Sequence, residues 1–145
     1  VILEALAAGL PQVFADPHQI QQVLLNLIIN AEQAMISAHG RGTLILRSWH
    51  DPEQDVVKLE VSDDGPGVPA DLRDRIFNPF FTTKTQGTGL GLSITRRIVK
   101  EHGATISVDS EPSRGTAFTL LFPALTDQDE AEVRDQLELL SERVV

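Results

Sequence analysis

The chain has no cysteine among its 145 residues. That absence excludes disulfides, thiolate zinc sites and a cysteine nucleophile, and it suits a reducing compartment. Positive charge is scarce as well: 12 Lys and Arg against 21 Asp and Glu leave a net charge of −9. Nucleic-acid backbones and anionic membrane surfaces are held by clustered cations, so neither is an expected partner. Any phosphate this chain binds must be held locally. No apolar run approaches the roughly 20 residues a membrane-spanning helix needs, and the first residues lack the basic start of a signal peptide. A cytoplasmic location without direct membrane contact is therefore expected. The apolar start, Val1 to Leu6, reads as a cut within a longer parent that could itself be membrane-anchored.

A hydrophobic share of 41% and a charged share of 23% are ordinary globular composition, so the chain should fold around one core. Val1 to Ala15 reads as one or two short strands broken at Gly9-Leu10-Pro11. Asp16-Pro17 then opens a helix, with Asp16 as N-cap, Pro17 where its missing N–H is harmless, and Gln19 in capping-box register. Ile20, Val23, Leu24, Leu27, Ile28, Ala31 and Met35 recur at helical spacing until His39-Gly40. Leu25 and Ile29 lie off that stripe, which predicts a helix sunk in the interior. Two hairpins are predicted, Thr43–Trp49 with Val56–Ser62, and Ala104–Val108 with Thr116–Phe122. Between them stand a short helix from Ala70 to Phe77, a Gly/Thr-rich loop from Thr82 to Gly91, and a helix from Leu92 to His102 stopped by Gly103. The order implies an α/β (α+β) two-layer sandwich, a mixed sheet of about five strands covered on one face by about three helices. Beyond Pro123 the sequence turns acidic, and Val133, Leu137, Leu140 and Val144 mark a C-terminal amphipathic helix. Residues 1–125 are expected to form the main domain and residues 126–145 an acidic helix or linker.

Four segments carry chemistry. On the long helix, Gln19, Gln22, Asn26, Asn30 and Gln33 form one polar edge. A carboxamide oxygen there suits Mg²⁺, which takes few protein ligands besides phosphates and water; capping of nearby backbone is the plainer alternative. Asp63-Asp64-Gly65-Pro66-Gly67 follows an apolar strand, placing a carboxylate where it can accept from an amino group beside glycines that admit a flat ring. A simple β-turn would also use this pattern. Ile76 to Lys84 packs three of the six phenylalanines into five positions, as lid anchors, as core, or as both. Gly87-Thr88-Gly89-Leu90-Gly91-Leu92 runs into a helix start, where backbone N–H groups and the helix dipole can hold phosphate without a basic patch.

In order and spacing these segments resemble the N, first glycine, F and second glycine boxes of sensor histidine kinases, within the GHKL ATPase superfamily with its Bergerat fold. The resemblance covers Leu10 to Pro123. It implies ATP and Mg²⁺ as cofactors, with Asn30 on the metal and Asn26 in the same pocket. Asp63 would take the adenine amino group, with Gly65, Gly67, Val68 and Thr116 around the base. Phe77, Phe81, Thr82 and Thr83 would hinge and line the lid. Lys84 would meet the γ-phosphate, and Gly87, Thr88, Gly89, Leu90, Gly91 and Leu92 would surround the phosphates. Asn26, Asn30 and Lys84 are thus the residues implied in catalysis. Gln33 stands where many relatives carry Lys, and the lid, Thr82 to Thr88, is short.

None of His18, His39, His50 or His102 begins the His-Glu/Asp-x-x-x-Pro pattern of a phosphoacceptor, so all four are expected in loops or at helix ends. The implied partners are a histidine-bearing dimerisation domain and, through it, a response regulator. Three alternatives stay open: a hydrolysing GHKL ATPase, which would need a Glu where Asn26 stands; a serine kinase of the anti-sigma-factor type; and a degenerate noncatalytic module.

Overall fold

The computed structural model describes residues 2–79, 81 and 91–144. Among the described residues, five strands and four helices follow one another as β1 (Ile2–Leu6), α1 (Pro17–His39), β2 (Leu44–Asp51), β3 (Val56–Asp63), α2 (Ala70–Arg73), α3 (Gly91–Glu101), β4 (Thr105–Glu111), β5 (Gly115–Pro123) and α4 (Asp127–Val144). The strands form one open mixed sheet in the order β1-β2-β3-β5-β4. Among the described strands, β1–β2 is the parallel pair and the others are antiparallel. The expected two-layer architecture is what the chain adopts, with one strand at its start, within the one or two expected, and with α2 ending at Arg73, short of Phe77.

Period-two patterning decides which face is covered. Leu46, Val61, Phe118 and Val108 stand opposite one another across four strands. They belong to, or pack against, the apolar cluster that includes Val23, Leu27 and Ala31 of α1 and Ile98 and Val99 of α3. The other face carries polar pairs such as Arg47, whose guanidinium donates to both oxygens of its register partner Glu60 at 2.9 and 3.2 Å. An antiparallel ladder tolerates this one-sided wetting.

Asp16 caps α1 by accepting from the amides of His18 and Gln19. The reciprocal arm of a capping box is absent from its expected place: the Asp16 N–H donates instead to His102 Nε2 at 3.1 Å. His102 Nδ1 in turn donates to Ile98 O at 2.7 Å, so this ring staples the start of α1 to the end of α3. Helix α1 lies on the sheet and is not sunk in the interior. Leu25, Ile29 and Ile36 stay 54%, 41% and 55% exposed, because α3 and the sheet together cover only the Val23–Leu27–Ala31–Met35 face.

Thr126 and Asp129 cap α4 reciprocally, each amide donating to the other's side chain at 3.0 Å. Leu137, Leu139 and Leu140 are each more than half exposed. Among the described residues, no helix is long and apolar enough to cross a membrane. Truncating fully buried Leu120 to Ala is expected to lower unfolding free energy by about 2–5 kcal/mol. Leu140→Ala should shift it by less than about 0.5 kcal/mol; denaturant titration of both variants compares them directly.

Candidate functional site

The apolar ladder ends in a polar row. Asp63, the last residue of β3, pairs in register with Thr116 of β5, and Thr116 pairs with Ser110 of β4. Their exposures are 8%, 8% and 2%. Three buried polar side chains in line must be hydrogen-bonded to be tolerated, and they are.

One oxygen of the Asp63 carboxylate accepts from the Gly65 amide at 2.9 Å. The Thr116 amide also donates to that carboxylate. Burial pushes the Asp63 carboxyl above its ordinary value; the two amides hold it back, and Asp64 adds to the push. Asp64 itself points elsewhere, accepting from the Thr43 amide at 2.9 Å.

The segment from Asp63 to Val68 is strapped across the β4–β5 turn. Pro66 O accepts from Ser113 N at 2.7 Å, and Val68 N donates to Ser110 Oγ at 2.7 Å. Two glycines make this approach possible. A Cβ on Gly67, whose φ is +75°, would lie 2.1 Å from Glu111 O, and one on Gly115, whose φ is +86°, would lie 2.0 Å from Asp63 O. Ser113 holds φ at 68° to present its amide. On the opposite side, a Cβ on Gly65 would stand 3.6 Å from Ala34 Cβ, so this loop abuts α1 one turn beyond Asn30.

Asp63, Gly65, Gly67, Val68 and Thr116 are thus brought together. Asn26 and Asn30 share the polar edge of α1, both half-buried. The Asn26 amide donates toward Gly91 O at 3.5 Å and Thr95 Oγ1 at 3.4 Å, tying α1 to the first turn of α3. Phe77 meets Phe118 edge-on at 6.2 Å and lies under Arg96, while Phe81 lies under Arg75. Both rings, with Val68 and Leu92, pack against the core. Thr82, Thr83, Lys84, Gly87, Thr88, Gly89 and Leu90 lie outside the described residues.

Two features differ from sequence expectation. His50 lies within β2, where its ring bonds Asp55 at 2.9 Å, and not in a loop. Ser110 and Ser113 were not expected at the site at all. Ser110 was detectable, since it continues the inward alternation Ile106, Val108, Ser110 with a polar residue.

Residues 15–126 match the family described as histidine kinase-, DNA gyrase B-, and HSP90-like ATPase. The sensor protein kinase PilS of Pseudomonas aeruginosa is 46% identical over 117 residues, covering 81% of this chain and 22% of PilS. The catalytic domain of histidine kinase ThkA, solved nucleotide-free, is 37% identical with a TM-score of 0.70, over 85% of this chain and 78% of that one. Full-length ShkA, solved in complex with AMPPNP, is 32% identical with a TM-score of 0.72, over 86% of this chain and 26% of that one. The chain thus spans under a quarter of the length of PilS.

Gly67→Ala must move the Glu111 carbonyl or abandon the left-handed backbone. We expect it to destabilise the protein by at least about 1–2 kcal/mol, measured by chemical denaturation, with faster amide exchange at Val68 and Ser113.

Proposed function

Since this chain belongs to the histidine kinase-, DNA gyrase B-, and HSP90-like ATPase family, as the catalytic domain of a sensor histidine kinase, we propose that it binds Mg-ATP and presents the γ-phosphate to a histidine on a dimerisation domain of its parent protein. A response regulator would then receive the phosphoryl group. The observation that supports this reading is the buried carboxylate of Asp63, held by two amides beside the close-packed glycines Gly65, Gly67 and Gly115. Such a fixed acceptor fits an exocyclic amino group and opposes a carbonyl at the same place.

Asn30 is our choice of metal ligand. No group of three or more His, Asp or Glu able to hold a metal occurs among the described residues, so a cation here would draw on a carboxamide, nucleotide phosphates and water, a combination suited to Mg²⁺. When bound, Mg²⁺ would neutralise phosphate charge, which phosphoryl transfer needs more than covalent help. Lys84 and the glycines of residues 87–91 complete the proposed phosphate contacts. Residues 1–125 form the proposed nucleotide-binding unit, with residues 126–145 as an appended helix.

Replacing Asp63 by Asn puts a donor where the site must accept. Affinity for ATP should fall by about tenfold or more, the loss of one charge-assisted hydrogen bond, with circular dichroism unchanged; isothermal titration measures it, and undiminished affinity would remove the assignment. Because burial raises the Asp63 carboxyl, affinity in the unaltered protein should weaken on acidification while the pH is still above the ordinary aspartate value of about 3.9.

The four histidines do not sit in a phosphoacceptor motif. Incubated alone with labelled ATP, the chain should yield no phosphohistidine; added to its parent's dimerisation domain, it should. Labelling of the isolated chain would overturn the division of labour.

A further inference from the structure

Ser110 makes three hydrogen bonds with one hydroxyl. Its Oγ lies 2.7 Å from Val68 N, 3.1 Å from Gly115 O and 2.9 Å from Thr116 Oγ1. An amide can only donate and a carbonyl can only accept, whereas each hydroxyl has one proton and two lone pairs. The single Ser110 proton therefore goes to Gly115 O, and the Val68 amide fills one lone pair. The remaining contact is satisfied only if Thr116 donates to Ser110. Any other assignment leaves two buried oxygen acceptors facing each other, an unfavourable arrangement at 2% exposure. Thr116 thereby loses its only proton to β4.

We infer that Ser110 is a positioning residue that turns Thr116 Oγ1 into a pure acceptor, so that the floor beside Asp63 accepts hydrogen bonds and donates none, and that this polarity selects a 6-amino purine over a 6-oxo purine. The inference deepens the nucleotide-binding reading above and rests on it. Asp63 supplies the first acceptor. Thr116, its register partner, supplies the second, and the choice that makes it one is set a strand away. Were the Thr116 proton free, the hydroxyl could rotate to donate to a carbonyl, and discrimination at the purine 6-position would relax.

The test compares Mg-ATP with Mg-ITP, which share sugar and triphosphate and differ at the purine 6-position and N1. Isothermal titration is run on the unaltered chain, Ser110→Ala, Thr116→Val and the double variant, with folding checked by circular dichroism. Ser110→Cys, similar in size with a weak donor, serves in place of Ser110→Ala if the alanine variant does not fold. The ATP-over-ITP preference should fall by about tenfold in Ser110→Ala, the scale of an unpaired buried polar group in a specificity site. In the Thr116→Val background the same Ser110 change should alter the preference by less than about twofold, the mark of two residues acting through one another. Ser110→Thr, which keeps the hydroxyl, should restore it. Equal weakening of both nucleotides in Ser110→Ala would overturn the inference and leave only a structural tie, with the nucleotide-binding reading intact. Failure of the unaltered chain to bind either nucleotide would remove that reading and this inference with it.

Discussion

Asp63 places a carboxylate at 8% exposure on the end of an apolar ladder, and few arrangements make that tolerable. An unpaired charge there would be unfavourable by several kcal/mol. Amide donors are the only partners described on it, and the backbone around it is bent to supply them. The Gly65 amide reaches back over two residues, and the Thr116 amide comes from the neighbouring strand. Every other device at the site keeps those two donors in place: the Gly115 approach, the Gly67 contact with Glu111, and the Ser113 and Ser110 bonds to the loop.

The same charge works against stability. Its folded-state value is raised above the unfolded one. Asp63 thus adds stability only below the unfolded value of about 3.9, and loses it as pH rises through the folded value. The side chain is retained although burial disfavours its ionised form. A Val or Leu would extend the Leu59–Val61 side of the core. A buried acid of this kind is what the proposed binding role would require.

How much of this could be read from the residues depends on the range of the interaction. Helix α1 was legible because its cap, its Pro17 and its apolar stripe are local, and both hairpins were legible because their turns are. Asp63, Gly65 and Gly67 announced themselves through spacing. The supports did not. Ser110 lies 42 residues from Val68, and its role exists only once β4 pairs with β5 and the loop folds across them. The His102 staple, 86 residues from Asp16, displaced a local capping box that looked complete. The depth of α1 is not legible in the sequence for a related reason. Its apolar residues exceed what one sheet and one helix can cover, and composition does not say which stripe stays outside.

Asn26 shows how the fold bears on the kind of reaction as well as on the ligand. A hydrolytic relative would need a carboxylate at this position to activate water. Here the side chain donates toward Gly91 O and Thr95 Oγ1. A carboxylate placed on the same bonds would face a carbonyl that has no proton to give, leaving only the Thr95 hydroxyl as donor, and would sit as an uncompensated charge against the α1–α3 seam. The contact that joins these two helices thus favours an amide over an acid. With an amide at that position, a nucleotide bound as proposed would lack this carboxylate for deprotonating water and would await another nucleophile. Under the proposed function that nucleophile would be a histidine ring delivered by another domain.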